Sequence, residues 1–123
     1  MARTFERQQE SVTFELEPGD SRVYTYANGD VLSLECNLDH ADNRIKATYH
    51  LKLADKSFKY HPATRDVSDQ FTSYNPITNM YDLRGSFQIV GNRKIIFNIL
   101  KEPIPMTFEQ VQQAGLEQFM SEM

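Results

Sequence analysis

The chain has 123 residues, room for one domain with a core of ordinary size. A hydrophobic share of 40% and a charged share of 24% exclude disorder as the default state. The formal net charge is −4 and the Lys and Arg residues are scattered, so no basic stripe faces nucleic acid or an anionic membrane. Apolar runs are far too short for a spanning helix. The opening MARTFERQQES has no apolar signal core, and Cys36 is the one cysteine. An intramolecular disulfide and a thiolate zinc site are thereby excluded, and a reducing cytoplasm is the expected location.

Residues 1–10 are polar apart from Phe5 and are expected to form a flexible segment ahead of a single domain over 11–123. Val12, Phe14 and Leu16 alternate with Thr13 and Glu15 as a first strand, stopped by Pro18-Gly19-Asp20. Tyr24 to Cys36 reads YTYANGDVLSLEC, with Asn28-Gly29 between two alternating runs. Asn and Gly tolerate the positive φ of a two-residue hairpin turn. That turn would set Ala27 opposite Asp30, Thr25 opposite Leu32 and Val23 opposite Leu34, with Cys36 and Leu38 on the same buried face. Tyr24, Tyr26 and an Arg22–Glu35 pair would then lie on the other face.

Ile45 to Leu53 alternates most cleanly, with Ile45, Ala47, Tyr49, Leu51 and Leu53 on one face and Lys46, Thr48, His50 and Lys52 on the other. Phe58 and Tyr60 continue the alternation after a tight return. Residues 61–80 hold Pro62, Pro76, Asn75 and Asn79, so an irregular excursion is expected, with a short strand near Gln70 to Tyr74. Such an excursion suits a portal or lid. Tyr81 to Val90 and Lys94 to Leu100 form the last hairpin. A three-residue loop is preferred there, because it sets Ile95 opposite Ile89 and Phe97 opposite Phe87. Pro103 and Pro105 then end the sheet. Thr107 and Gln110 make a capping box for a helix over 107–120, whose stripe runs Phe108, Val111, Gly115, Leu116, Phe119, Met120 and Met123.

The fold class expected is mainly β. An antiparallel meander of about seven or eight strands forms a rolled sheet or small up-and-down barrel, with one C-terminal α-helix. The core should hold Phe14, Leu32, Leu34, Tyr49, Leu51, Phe87, Ile89, Ile95, Phe97 and Ile99. Calycins, the lipocalins and fatty-acid-binding proteins, share this general architecture. The likeness is architectural only, because the chain has no Trp for a Gly-X-Trp start and no helix-turn-helix pattern after its first strand.

No phosphate loop, nucleophile elbow, zinc signature or calcium loop is present, and no metal or cofactor is expected. Asp39, His40 and Asp42 read as solvated loop residues. Arg22, Arg65 and Arg84 are able to grip a carboxylate, and each has an acidic neighbour, Glu35, Asp66 and Asp82 respectively. Three functions remain in view. The first is binding of a small apolar or amphipathic molecule in a barrel cavity, with Tyr49, Leu51, Phe58, Phe87, Phe97, Tyr74, Tyr81 and Arg84 as its residues. The second is a cofactor-free isomerase or cyclase using His50 as the acid/base group, with Glu35 and Tyr24 beside it. The third is a homo-oligomeric interaction module.

Overall fold

In the computed structural model, residues 10–55, 59–60, 62–66, 68–114, 117–118 and 121–122 are described. Phe58, His61, the N-terminal segment up to residue 9, and the helix-stripe positions 115, 116, 119, 120 and 123 lie outside them. The strands are β1 (Ser11–Leu16), β2 (Ser21–Thr25), β3 (Val31–Asp39), β4 (Arg44–Lys52), β5 (Lys59–Tyr60), β6 (Ala63–Arg65), β7 (Asp69–Asn75), β8 (Met80–Val90) and β9 (Lys94–Met106). Helix α1 (Phe108–Ala114) and two short strands, β10 (Glu117–Gln118) and β11 (Ser121–Glu122), follow. No helix among the described residues is long and apolar enough to cross a membrane.

The strands make two sheets, one ordered β1-β9-β8-β7-β10 and the other β11-β5-β4-β3-β2 with β6 also on β4. Every ladder is antiparallel except that of β10 on β7. The chain moves between the sheets from β1 to β2 and from β6 to β7. The tail returns the other way, since β10 joins the β7 edge and β11 joins β5. Among the described residues β1 and β2 share no ladder, so the roll stays open at that seam and is not a closed barrel.

Alternation places the core. Ile45, Ala47, Tyr49 and Leu51 of β4 face inward and are buried, opposite Leu38, Cys36, Leu34 and Leu32 of β3. Phe87 opposes Phe97 and Ile89 opposes Ile95, the pairing that a three-residue loop sets. Gly91 and Asn92 take φ of 58° and 54° there, where only residues tolerant of the left-handed region fit. Aromatic rings pack against one another in the interior. Tyr49 stacks on Phe71 at 4.4 Å, and Phe87 lies 5.7 Å from both Tyr49 and Phe97. Phe14 and Ile89 are only partly buried at its margin.

Four expectations change. The Asn28-Gly29 loop has three residues, Ala27 to Gly29, with Tyr26 N–H donating to Asp30 O at 2.8 Å. Tyr24 therefore opposes Leu32 and Val23 opposes Ser33, one residue from the two-residue register. Tyr26 turns inward and Val23 outward, and Arg22 faces Leu34 rather than Glu35. Second, most of 62–80 is regular, because β6 completes β4 and β7 is a full strand. Third, β9 continues through Pro103 and Pro105 to Met106. Its second edge carries β1 only as far as Leu100, so neither proline must donate to a ladder on that side. Fourth, the helix ends at Ala114, although its capping box forms with Thr107 N to Gln110 Oε1 at 2.8 Å and Gln110 N to Thr107 Oγ1 at 3.1 Å. The tail then pairs with strands.

Two outcomes follow from this packing. Phe97→Ala should cost about 3–5 kcal/mol in urea unfolding, since it empties the ring stack; a change within error of zero would contradict this ring packing. Cys36 is fully buried, and burial pushes its thiol up to about 11. A thiol reagent should label it slowly in the folded protein and quickly in denaturant, and rapid native labelling would place β3 in the opposite orientation.

Candidate functional site

A bulge in β8 builds the site. On β7, Phe71 pairs with Gly85 and Thr72 with Leu83, so Arg84 is passed over by that ladder. On β9, Gly85 pairs with Ile99 and Leu83 with Ile104, passing over Arg84 again. The extra residue reverses the alternation, and both Arg84 and Gly85 are buried. Glycine is needed next to it, because a Cβ at Gly85 would stand 2.5 Å from the Asn98 carbonyl oxygen.

The other half comes from the β2–β3 loop. Gly29 takes a φ of 99°, and Asp30 follows it into the interior at 5% exposure. The Asp30 Oδ2 accepts from Arg84 Nη2 at 3.1 Å and from Asn28 Nδ2 at 3.2 Å. Its Oδ1 accepts from the Ala54 N–H at 2.9 Å. One carboxylate thus ties the β2–β3 loop, the β4–β5 connection and β8 together. Arg84 Nε donates to Ser73 Oγ at 3.0 Å, and its guanidinium carbon lies 4.7 Å from the centre of the Tyr26 ring. Among the described residues Arg84 Nη1 has no hydrogen-bond partner.

Above this node lies an open pocket of about 410 Å³. Asp30, Asp82, Arg84 and Tyr74 supply its polar wall, while Leu53, Pro76, Ile77 and Pro103 supply apolar surface. Asp82 Oδ2 is 4.0 Å from Arg84 Nη2, beyond the reach of a good hydrogen bond. Burial raises the Asp82 carboxyl above its ordinary value, against the opposing effects of Arg84 and of a hydrogen bond from Asn75. Tyr60 stands nearby, its hydroxyl donating to the Tyr74 carbonyl and pushed up to about 12 by burial.

Of the ligand-site residues expected from the sequence, Arg84 and Tyr74 line this pocket. Tyr81 packs with tilted rings beside Tyr74 at 5.1 Å and against Phe108 at 5.7 Å. Tyr49, Leu51, Phe87 and Phe97 sit in the core. His50 and Glu35 do meet, with Ser33, Thr48 and Pro62, in a shallow depression of about 270 Å³ on the outer face of β3 and β4. Tyr24 does not join them, because its register opposite Leu32 turns it inward against Phe14 and Tyr26. Asp39 and Asp42 are held by Lys46 Nζ at 2.7 and 3.4 Å, and Asp66 pairs with Arg44 at 3.4 Å. Among the described residues no group of His, Cys, Asp or Glu is arranged to hold a metal ion.

Asp30 was not singled out by the sequence, and Asp82 was read there only as a salt-bridge neighbour of Arg84. Gly85 inside a strand was the available signal, since such a glycine marks a bulge or a close backbone approach. Compared with known protein families, curated proteins and solved structures, the chain matches none.

Asp82 should leave a pH signature in stability. Its folded value is raised from 3.8, so the unfolded chain releases this proton first and stability falls as pH rises through the interval between the two. Asp82→Asn removes that loss, and the variant should gain on the unaltered protein as pH rises from about 3.5 to 7. A variant that loses ground over the same interval would show that Arg84, not burial, governs this carboxyl.

Proposed function

We propose that the protein binds a small amphipathic molecule in the pocket at the Arg84 end of the roll. Support comes first from the pocket floor, where a guanidinium at 3% exposure keeps one nitrogen without a partner among the described residues. Buried polar groups are normally satisfied, and exceptions gather where a ligand or ordered water completes the network. The volume of about 410 Å³ also falls in the range of small-molecule sites. Polar groups lie at the base and apolar side chains around them, an order that suits a molecule with a polar head and a short apolar body.

The reading favours the end of the roll over its centre, where the sequence suggested a cavity, because the described pocket with an unsatisfied buried group lies there. A calycin-like role is kept in that restricted sense: a rolled meander that receives a ligand at one mouth. Catalysis by His50 draws less support, since its depression is shallow and Tyr24 is on the other side of the sheet. The buried free thiol of Cys36 is compatible with the cytoplasmic location proposed for this activity.

A screen of small amphipathic fragments by amide and guanidinium NMR tests the proposal. Binders should shift the signals of Asn28, Ala54, Ile77 and Arg84 Nε–H together, and Ile77→Ser should weaken them several-fold without unfolding the domain. Ile77 is 81% exposed, so its loss touches the rim and not the core. Shifts confined to Ser33, Glu35, Thr48 and His50 would move the site to the outer face of β3 and β4. A screen without binders would contradict a ligand role altogether.

A further inference from the structure

Asn28 and Gly29 form the one Asn-Gly step of the chain, in the loop that seats Asp30. An asparagine followed by glycine is chemically labile, because no side chain on the next residue shields its amide carbon. The glycine nitrogen, once it gives its proton to water or hydroxide, attacks the Asn Cγ. A cyclic imide closes and Nδ2 leaves as ammonia. Water then opens the ring at either carbonyl. One opening gives aspartate, and the other gives an isoaspartyl link in which the main chain runs through the side-chain carbons. The net change is amide plus water to acid plus ammonia, with no oxidant or cofactor needed.

The fold holds both reacting groups. Gly29 N–H donates to the Tyr26 carbonyl oxygen at 2.9 Å, so its nitrogen keeps the proton it must lose. Asn28 Oδ1 accepts from the Asp30 N–H at 3.0 Å, and Nδ2 donates to Asp30 Oδ2 at 3.2 Å. Attack on Cγ therefore waits for the loop to open. Asn28 is exposed on the pocket wall, so water is at hand when it does.

The products do not fit the place that asparagine leaves. Aspartate has no Nδ2–H to offer, and it brings a second carboxylate up to the Asp30 Oδ2 that pairs with Arg84 at 3.1 Å. The isoaspartyl link adds a carbon to the backbone of the three-residue loop whose register turns Asp30 inward. Either way Asp30, at 5% exposure, loses part of the hold that keeps it against Arg84.

We propose that Asn28 is a hydrolytic modification site, guarded by Asp30 in the closed loop, whose deamidation releases the Asp30–Arg84 pair and reshapes the mouth of the pocket. Opening admits the reaction and the product disfavours closing, so the change runs one way. It holds whatever the pocket binds.

The full chain, incubated at mildly alkaline pH with and without denaturant, tests this by mass spectrometry of the peptide holding residue 28 and by isoaspartyl-specific methylation. Conversion should be at least about tenfold slower in the folded protein, because opening breaks a hydrogen bond to a charged group. Equal rates would overturn the guarding role of Asp30. The deamidated protein, separated by anion exchange, should lose the original Arg84 Nε–H signal in NMR and unfold at lower urea. An unmoved Arg84 signal with an unchanged urea midpoint would overturn the coupling to the ion pair. Asn28→Ser removes the amide without adding charge, so Asn28→Asp should be the less stable of the two at neutral pH. That gap should close as pH falls through the carboxylate range, where protonation removes the repulsion. A gap absent at neutral pH would overturn the clash with Asp30.

Discussion

The ion pair between Asp30 and Arg84 is the contact on which the rest of this structure turns. It joins the mouth of one sheet to the middle of the other, at the end of the roll where no backbone ladder crosses between them. Both side chains are withdrawn from water, and the cost of that desolvation is offset only because nearly every lone pair and donor has a local partner. Asn28, Ala54, Ser73 and the Tyr26 ring supply those partners. A pair of this kind adds little net stability against an apolar replacement. Its physical effect is to exclude alternatives, because any other loop register or sheet offset would strand a buried charge.

Two local irregularities make the pair possible. The three-residue loop ending at Gly29 turns Asp30 and Tyr26 inward, and the bulge beside Gly85 turns Arg84 inward. Each reverses the inside–outside alternation of its strand for a few residues. Where alternation holds without interruption, as along β4, the interior is lined by the buried side chains of Tyr49, Leu51 and their neighbours. Where both strands break it, polar groups enter and a pocket opens. The division between packed centre and wet mouth is thus a consequence of strand geometry, and it leaves Asp82 buried enough to be raised even with Arg84 4.0 Å away.

Much of the fold was legible because apolar and polar residues alternated with one consistent answer. The inward face of β4, the pairing of Phe87 with Phe97, the burial of Cys36 and the capping box at Thr107 all followed from such patterns. The first hairpin was not legible for a physical reason. Val23 on one face and Tyr24 and Tyr26 on the other are both able to pack inward, so two registers one residue apart satisfy the pattern equally. Arg84 was visible as a candidate, but Asp82 was read as its partner because it lay close in sequence. Asp30, which binds it, is distant along the chain and comes within reach only after the loop register is known. The prolines of β9 misled because their cost depends on whether a neighbouring strand is present, a fact of topology rather than of local sequence.

A double-mutant cycle between Asp30→Asn and Arg84→Met, read by urea unfolding, tests the central claim most directly. If the two side chains form one desolvated unit, each single change leaves a buried group unsatisfied and the double change relieves part of that cost. The coupling energy should then be about 1–3 kcal/mol. Additive effects, with coupling within error of zero, would contradict the account and leave the two sheets held at this end of the roll by apolar packing.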